Sequence, residues 1–524
     1  MRVVTSAQIA ELDRRATERY GIPVERLMET AGRRVAQAAL DLVPGSRGLV
    51  TVLAGKGHNG GDGLVAARVL ASRGISVVAL LVADETEYSR ETGRTLGRAR
   101  EAGVRVINTS ALAAGELSRA LSTAGLIIDA LFGTGFRGPA RGSAAALIDA
   151  ANTSKKPVLA VDVPSGLNAD TGQADGPVVR ALATVTMGLP KVGLLIPPGI
   201  ELAGTIYVAD IGYPPELIDE PSITTHLVTG EMVRTHIPAR PFDSHKGTFG
   251  RTLVIAGSVG FTGAPVLAAL GALRIGGGLV TLAAPRTVYP IVAAHVIEAM
   301  PTPLDDDGGA LSVSAVARVA ELAAASDVVA VGPGLSTAPG VRRVVEGLLA
   351  SGKPLVVDAD ALNVLAGQSE ILRRATGPVV ITPHPGELAR LLGKQTREVL
   401  TDRLGEARGA AERLRCIVVL KSASTVVATP EGDAYFVLTG NPGMATGGMG
   451  DVLTGAIASL IGQGISPAEA AWTAAYLHGM AADLLAEERG MAGMLASEVA
   501  RNLPAAIARV LRGEFRDGVR VLRD

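Results

Sequence analysis

The residues best placed to do chemistry lie near the C-terminus, in Asn441–Asp451 (NPGMATGGMGD), followed at once by an apolar, helix-prone stretch from Val452 to Ile461. Glycines ahead of a helix aim unpaired backbone N–H groups at one spot, and the helix dipole favours negative charge there. Asp451 falls on the first turn, where a carboxylate either caps the helix or acts as a base beside a phosphate. A generic helix start rarely needs Gly443, Gly447, Gly448 and Gly450 so close together, so the pattern points to phosphoryl groups. No G-x-x-x-x-G-K-[ST] run occurs anywhere, which excludes a P-loop kinase on motif grounds.

Other polar motifs of this half follow β-branched runs: Val331–Leu335, Asp358–Asn363 and Thr382–Glu387. Ser244–Gly250 precedes such a run, and Lys421–Thr425 links two of them. Each residue has an ordinary reading as well. Lys421 can be a solvated strand-end lysine, His384 a loop histidine between two prolines, and Asp358 and Asp360 helix caps.

A second constellation occupies the N-terminal half. After the apolar run Leu49–Ala54 comes Gly55–Gly63 (GKGHNGGDG), then a helical stretch over Leu64–Ser72. Gly55, Gly57 and Gly60 satisfy G-x-G-x-x-G in a strand–turn–helix setting, a weak signal alone. Asp84 fits only loosely as the acid expected about twenty residues on. The polar residues His58, Asn59 and Asp62 are harder to explain as turn chemistry. Asp129 ends Leu126–Asp129 ahead of a second glycine loop, Gly133–Gly138, and Asp162 and Ser165 follow Val158–Val161. Oxygen donors of the Asn, Asp and Ser type suit a hard cation better than zinc.

These motifs need a sheet to present them. Both halves alternate short β-branched runs with longer Ala/Leu/Arg stretches, the pattern of parallel strands with crossover helices. In both, the motifs sit after strand C-termini, where open α/β sheets bind ligands. The expected strands are 49–54, 76–82, 126–130, 157–163, 183–187 and 205–209, then 252–256, 279–283, 328–331, 354–358, 379–382, 417–420, 424–428 and 434–437, with helices dominating from there to near Arg512. Thr5 and Gln8 form a capping box for a helix from about Ser6, and a second helix spans about 23–42. Five prolines between Tyr213 and Pro241 mark a boundary. The expected organisation is a Rossmann-like three-layer α/β domain over 1–215, a linker over 216–228, and an α/β domain over 229–524.

Composition narrows the function classes. The 524 residues are 48% hydrophobic, enough for sizeable cores, and the net charge of −1 removes the footprint of a nucleic-acid binder. One cysteine, Cys416, cannot build a disulfide framework or a thiolate metal site. Mean hydropathy is +0.32. The longest uncharged run, Leu253–Leu273, could span a bilayer, but its glycines and Pro265 favour strand–loop–helix, and no membrane partner is expected. The first residues lack an apolar h-region, so a cytoplasmic location is expected. Ala-rich helices suggest a homo-oligomer.

The first half resembles the NAD(P)H-hydrate epimerase family, through Met28–Gly32, Asn59–Gly63, Asp129–Gly135 and Asp162–Gly166. That resemblance implies potassium held by Asn59, Asp129 and Ser165. It implies substrate contacts from His58, Asn59, Gly60, Gly61 and Asp62, from Gly133, Thr134, Gly135, Phe136, Arg137, Gly138 and Pro139, and from Asp162, which is the candidate for proton transfer. His58 departs from the family, where a second asparagine is usual.

The second half resembles the ADP- or ATP-dependent NAD(P)H-hydrate dehydratase family, and the resemblance implies a ribokinase-like fold. Gly448–Asp451 matches that fold's anion hole and catalytic aspartate. Lys421, Ser422, Ala423, Ser424, Thr425 and Gly450 are implied to contact ADP or ATP, with magnesium accompanying the nucleotide. Ala264, Gly334, His384 and Asp451 are implied to contact the hydrated nicotinamide nucleotide. Met449 stands where threonine is common, and Ser422 where glycine is common. The order of the halves matches that of fused bifunctional repair enzymes. The alternative is a ribokinase-like small-molecule kinase joined to a nucleotide-binding regulatory domain.

Overall fold

A computed structural model of the chain describes residues 1–42, 48–112 and 114–523. The chain divides into two compact units, one of Arg2–Ile223 with Gly518–Asp524 and one of Met1 with Thr224–Asp517.

The first unit is built on strands β1 (Leu49–Ala54), β2 (Val77–Leu81), β3 (Arg105–Asn108), β4 (Ala124–Ala130), β5 (Val158–Val161), β6 (Ala183–Met187) and β7 (Thr205–Ala209). With the C-terminal strand Val519–Leu522 they form an eight-stranded sheet, in the order Val519–Leu522, β7, β6, β5, β4, β1, β2, β3. Every pairing is parallel. Successive side chains leave opposite faces of a strand, and here both faces are covered. Val52 and Ile128 join a core with Leu12, Val35 and Leu64 from the helices Ser6–Glu18, Val24–Leu42 and His58–Ser72. Leu53 and Ile127 join another with Leu121 and Leu147 from the helices Ala114–Ser122 and Gly142–Thr153. These are the expected three layers. The Thr5–Gln8 capping box is formed, with Gln8 N–H donating to Thr5 Oγ1 at 3.2 Å and Thr5 N–H to Gln8 Oε1 at 2.9 Å.

The second unit contains β8 (Thr225–Leu227), β9 (Arg251–Ile255), β10 (Leu279–Pro285), β11 (Met300–Leu304), the two-stranded ribbon β12 (Asp306–Asp307) and β13 (Ala310–Leu311), β14 (Val328–Val331), β15 (Leu355–Val357), β16 (Val379–Ile381), β17 (Ile417–Leu420), β18 (Thr425–Ala428) and β19 (Ala434–Val437). The main sheet has ten strands in the order β11, β10, β9, β14, β15, β16, β17, β18, β19, β8. It is parallel from β11 to β17, then antiparallel through β18 and β19. The uncharged run Leu253–Leu273 is the expected strand, loop and helix (Gly263–Arg274). Among the described residues no helix is long and apolar enough to cross a membrane.

Three expectations need correction. Residues 216–228 are not a plain linker: Pro215–Ile218 is a short helix and β8 adds to the second sheet beside β19. The second domain does not run unbroken to the end, because Val519–Leu522 pairs with β7 of the first unit. The helix expected from Leu64 starts at His58, because the glycines that lower its propensity are the ones that let it pack closely. A Cβ on Gly60 would run into the Gly55 carbonyl, and one on Gly63 into Ala130. The Ala-rich helix Pro467–Arg489 is largely buried in its own unit.

Candidate active sites

In the first unit, β1, β4, β5 and β6 deliver their C-terminal ends to one cavity of about 900 Å³. His58, Asn59 and Asp62 reach it from the first turn of His58–Ser72, and Gly133–Arg137 from the loop after β4. Gly60, Gly61, Gly138 and Pro139 are not in its wall. Gly60 and Gly61 are buried against the Gly55 turn and Met28, so their role is to bring the helix close.

Behind that wall lies a cradle of oxygens. Asp129 is fully buried at the end of β4. Its Oδ1 accepts from the Ser165 hydroxyl at 2.6 Å and its Oδ2 from the Ser165 N–H at 2.8 Å. Asn59 Nδ2 donates to the Phe132 carbonyl at 2.9 Å, while Asn59 Oδ1 is buried with no partner among the described residues. Burial pushes the Asp129 carboxyl up to about 6, against the pull of the Ser165 bonds. A buried acceptor without a donor beside a desolvated carboxylate fits a bound cation. The set supplies one carboxylate, and among the described residues no group of three or more His, Cys, Asp or Glu could hold a metal. A singly charged hard cation suits it better than a transition metal.

Asp162 follows β5 and lines the cavity, bonded to the buried Lys191 at 2.6 Å. Three further acids, Asp13, Glu18 and Asp62, face the same space. Asp62 is pushed well above the usual carboxylate range by burial, with Asp162 and Asp13 adding to it. Asp13 is also raised by burial, although it accepts a hydrogen bond from the Tyr213 hydroxyl.

In the second unit, the helix Met449–Gly462 starts from Gly448, whose φ of +92° only glycine adopts without strain. Asp451 is its third residue. Among the described residues its carboxylate has no hydrogen-bond partner, and burial, followed by the nearby Asp358, pushes it up to about 7. A carboxylate titrating there is matched to proton transfer near neutral pH.

Beside this helix lies a cavity of about 610 Å³ whose wall includes His384, Lys421, Ser422, Ala423, Thr425, Met449, Gly450 and His478. Most of the expected nucleotide residues therefore meet in one place. Ser424 does not, because it is buried off the wall. A Cβ on Gly450 would lie 3.1 Å from Lys421 Nζ, so this glycine keeps the helix end open to that ammonium. Burial lowers the Lys421 pKa, but Asp358 and Glu387 outweigh it and the net shift is upward.

The residues expected to bind the hydrated nucleotide are arranged differently. A Cβ on Gly334 would lie 3.1 Å from the Ala264 Cβ, so these two adjoin. Asp360 accepts from the Ser336 N–H at 2.9 Å, which ties it to the Gly334 loop. Asp451 senses Asp358 and Asp360 electrostatically but is not in the wall of the enclosed cavity. It borders that cavity rather than lining it. His384 does line it, capping Pro385–Leu392 by accepting from the Gly386 N–H at 3.0 Å.

Comparison with known proteins decides what carries this pair of sites. Residues 24–193 match the YjeF-related protein N-terminus family, and residues 252–505 match the NAD(P)H-hydrate dehydratase family. The chain is 44% identical over 511 residues to the bifunctional NAD(P)H-hydrate repair enzyme Nnr of Moorella thermoacetica, covering 96% of each chain. It is 36% identical to the Escherichia coli enzyme of the same name, covering 96% of this chain and 93% of that one. The chain belongs to the bifunctional NAD(P)H-hydrate repair enzyme family. Among solved structures, the ADP/ATP-dependent NAD(P)H-hydrate dehydratase of Bacillus subtilis, co-crystallised with ATP/Mg2+, is 34% identical, with a TM-score of 0.49 over 54% of this chain and 98% of that one.

Several residues that shape the two sites of this repair-family chain escape motif reading. Lys191, Asp13 and Tyr213 reach the first cavity from segments without glycine loops. The one signal for Lys191 is its place among apolar residues just after β6, in Leu189–Leu195. In the second unit Thr454 donates to Asp358 Oδ2 at 2.7 Å, and the buried His478 in the cavity wall has an Nε2 with no partner among the described residues, with burial lowering its pKa to about 4.

Proposed function

We infer that the chain repairs hydrated nicotinamide dinucleotides: the first unit interconverts the R and S epimers of hydrated NADH or NADPH, and the second dehydrates the S form with ADP or ATP. Support comes from nearly full-length likeness to repair enzymes, together with one geometric fact. Asp451 stands unbonded and half-buried at the head of a glycine-opened helix, beside a nucleotide-sized cavity.

The hydrate carries a hydroxyl on C6 of the reduced ring, and hydroxide is a poor leaving group. In our reading Asp451 takes the hydroxyl proton while that oxygen attacks the terminal phosphorus of the nucleotide. The P–O bond to AMP or ADP breaks as the new one forms. The N–H groups of Gly448, Met449 and Gly450 offset charge on the moving phosphoryl group. The C6–O bond then breaks, phosphate leaves, C5 gives up a proton, and the double bond of NADH or NADPH is restored. Lys421, Ser422, Ala423, Thr425 and Gly450 hold the nucleotide, and Ala264, Gly334 and His384 the ring-bearing substrate. Magnesium accompanies the polyphosphate and offsets its charge.

In the first unit Asp162 exchanges a proton at the C6 oxygen or on the nearby ring, and His58, Asn59, Asp62 and Gly133–Arg137 hold the substrate around it. Potassium is the cation we assign to Asn59, Asp129 and Ser165, where its charge compensates the buried carboxylate and orders the loop. The experiment is to incubate the protein with mixed hydrate epimers, with and without ADP. Phosphate and reduced dinucleotide should appear together and only with ADP. A stable phosphorylated product would instead make the second unit a kinase.

A further inference from the structure

Asp162 has φ +65°, in the left-handed region where residues with a Cβ are strained. Every hydrogen bond to its carboxyl falls on one oxygen. Oδ1 accepts from Lys191 Nζ at 2.6 Å, from the Met187 N–H at 3.2 Å and from the Thr186 hydroxyl at 3.3 Å. Among the described residues no donor reaches Oδ2, and it is not sealed away as a buried orphan. Asp162 itself lines the cavity.

The lysine, unlike the acid, is fully occupied. Its side chain is 1% exposed. Its three protons are taken by Asp162 Oδ1, by Met187 O at 2.8 Å and by Thr186 Oγ1 at 3.1 Å. Lys191 therefore has no proton to offer a ligand, although it adjoins the cavity. A buried lysine of this kind is costly unless its charge is paired, and here the pair holds one acid in one orientation.

We propose that Lys191 is a positioning residue of the epimerase site, holding Asp162 through Oδ1 and leaving Oδ2 to exchange the substrate proton. The proposal rests on reading the first unit as an epimerase. Asp13, Arg14 and Glu18 face the cavity from Ser6–Glu18, Lys56, His58 and Asp62 from the β1 loop and the helix after it, Arg137 from the β4 loop, and Tyr213 from beyond β7. Asp13 and Asp62 oppose the charge on Asp162, and Lys191 is the cation in direct contact with it.

The test is the pH profile of epimerisation in the full chain, for wild type, Lys191→Met, Lys191→Arg, Asp162→Asn and the double variant Lys191→Met/Asp162→Asn. Loss of an adjacent cation raises a carboxyl by about 1–3 pH units. Lys191→Met should move the acid limb upward by that amount and regain rate at high pH. Lys191→Arg, which keeps the charge, should leave the limb near the wild-type position. The double variant should be no slower than Asp162→Asn. Thermal unfolding of the first unit reports that each variant is folded. Should Lys191→Met fail that check, the arginine variant and the charge-free double variant carry the comparison. A limb that stays in place in Lys191→Met, or shifts equally in Lys191→Arg, overturns the proposal. Wild-type chain that never interconverts the epimers overturns the epimerase reading and this proposal with it.

Discussion

Lys421 Nζ lies 2.8 Å from Asp358 Oδ1, joining the residue after β17 to the residue after β15 at the opening of the Met449–Gly462 helix. Asp358 is 1% exposed, so its carboxylate depends on this ammonium and on the Thr454 hydroxyl. One lysine thus serves a buried acid and faces the 610 Å³ cavity.

Two roles predict two separable losses. Lys421→Met should destabilise the second unit by about 3–5 kcal/mol, the range for removing one partner of a buried pair. It should also weaken ADP binding. Lys421→Met/Asp358→Asn should recover most of the stability but not the affinity. Thermal unfolding and calorimetric ADP titration read the two effects, and a double variant that restores ADP affinity contradicts a direct nucleotide role.

Asp451→Asn keeps the shape of the helix start and removes the base. Turnover in S-epimer dehydration should fall by about 10²–10⁴-fold, the usual contribution of a positioned base. ADP affinity should change little, because the cavity wall is made by Met449 and Gly450 instead. Steady-state rates and ADP titration check this, and wild-type turnover in the variant removes Asp451 from the chemistry.

The raised Asp451 carboxyl predicts two pH effects of known sign. A base must be deprotonated, so kcat/KM for dehydration should fall below about pH 7, where this group titrates in the free protein. For stability, the folded value lies above the ordinary aspartate value of 3.8, so the native state holds an extra proton between the two values. Stability from this group is fully present at low pH and is lost as pH rises through about 7. Asp451→Asn escapes that loss. Its melting temperature should exceed wild type at pH 8 and converge with it near pH 4; the opposite trend contradicts the burial that raises the group.

The oxygen cradle predicts selective stabilisation by a monovalent cation. Potassium should raise the melting temperature of the first unit more than sodium does at equal ionic strength. Asp129→Asn should abolish the difference, because it removes the only carboxylate of the Asn59, Asp129 and Ser165 set. Differential scanning calorimetry in matched salts gives the answer, and an equal response to both ions leaves the cradle without a selective occupant.

The interior of both sheets was readable because strands covered on two faces are short continuous apolar runs, as in Ile417–Leu420 and Val328–Val331. The strands that escaped are the sheet edges. β3 and Val519–Leu522 bound the first sheet, and β11 and β8 the second. Edge strands carry half-exposed and charged residues and tolerate proline, as Pro301 and Pro303 do in β11, so they lose the apolar signature. The sites divide in the same way. Glycine loops announce themselves through backbone demands, whereas Lys191, Asp13 and His478 are single side chains brought to a cavity by tertiary packing. No local pattern encodes that.

The most direct measurement supplies the pure R epimer with ADP to the full chain and follows reduced dinucleotide and phosphate together. Two cooperating activities predict complete conversion by wild type, none by Asp162→Ala although that variant still dehydrates the S epimer, and almost none of either epimer by Asp451→Asn. Conversion of the R epimer by Asp162→Ala at the wild-type rate, or phosphate release without dinucleotide, would contradict the division of labour between the two units.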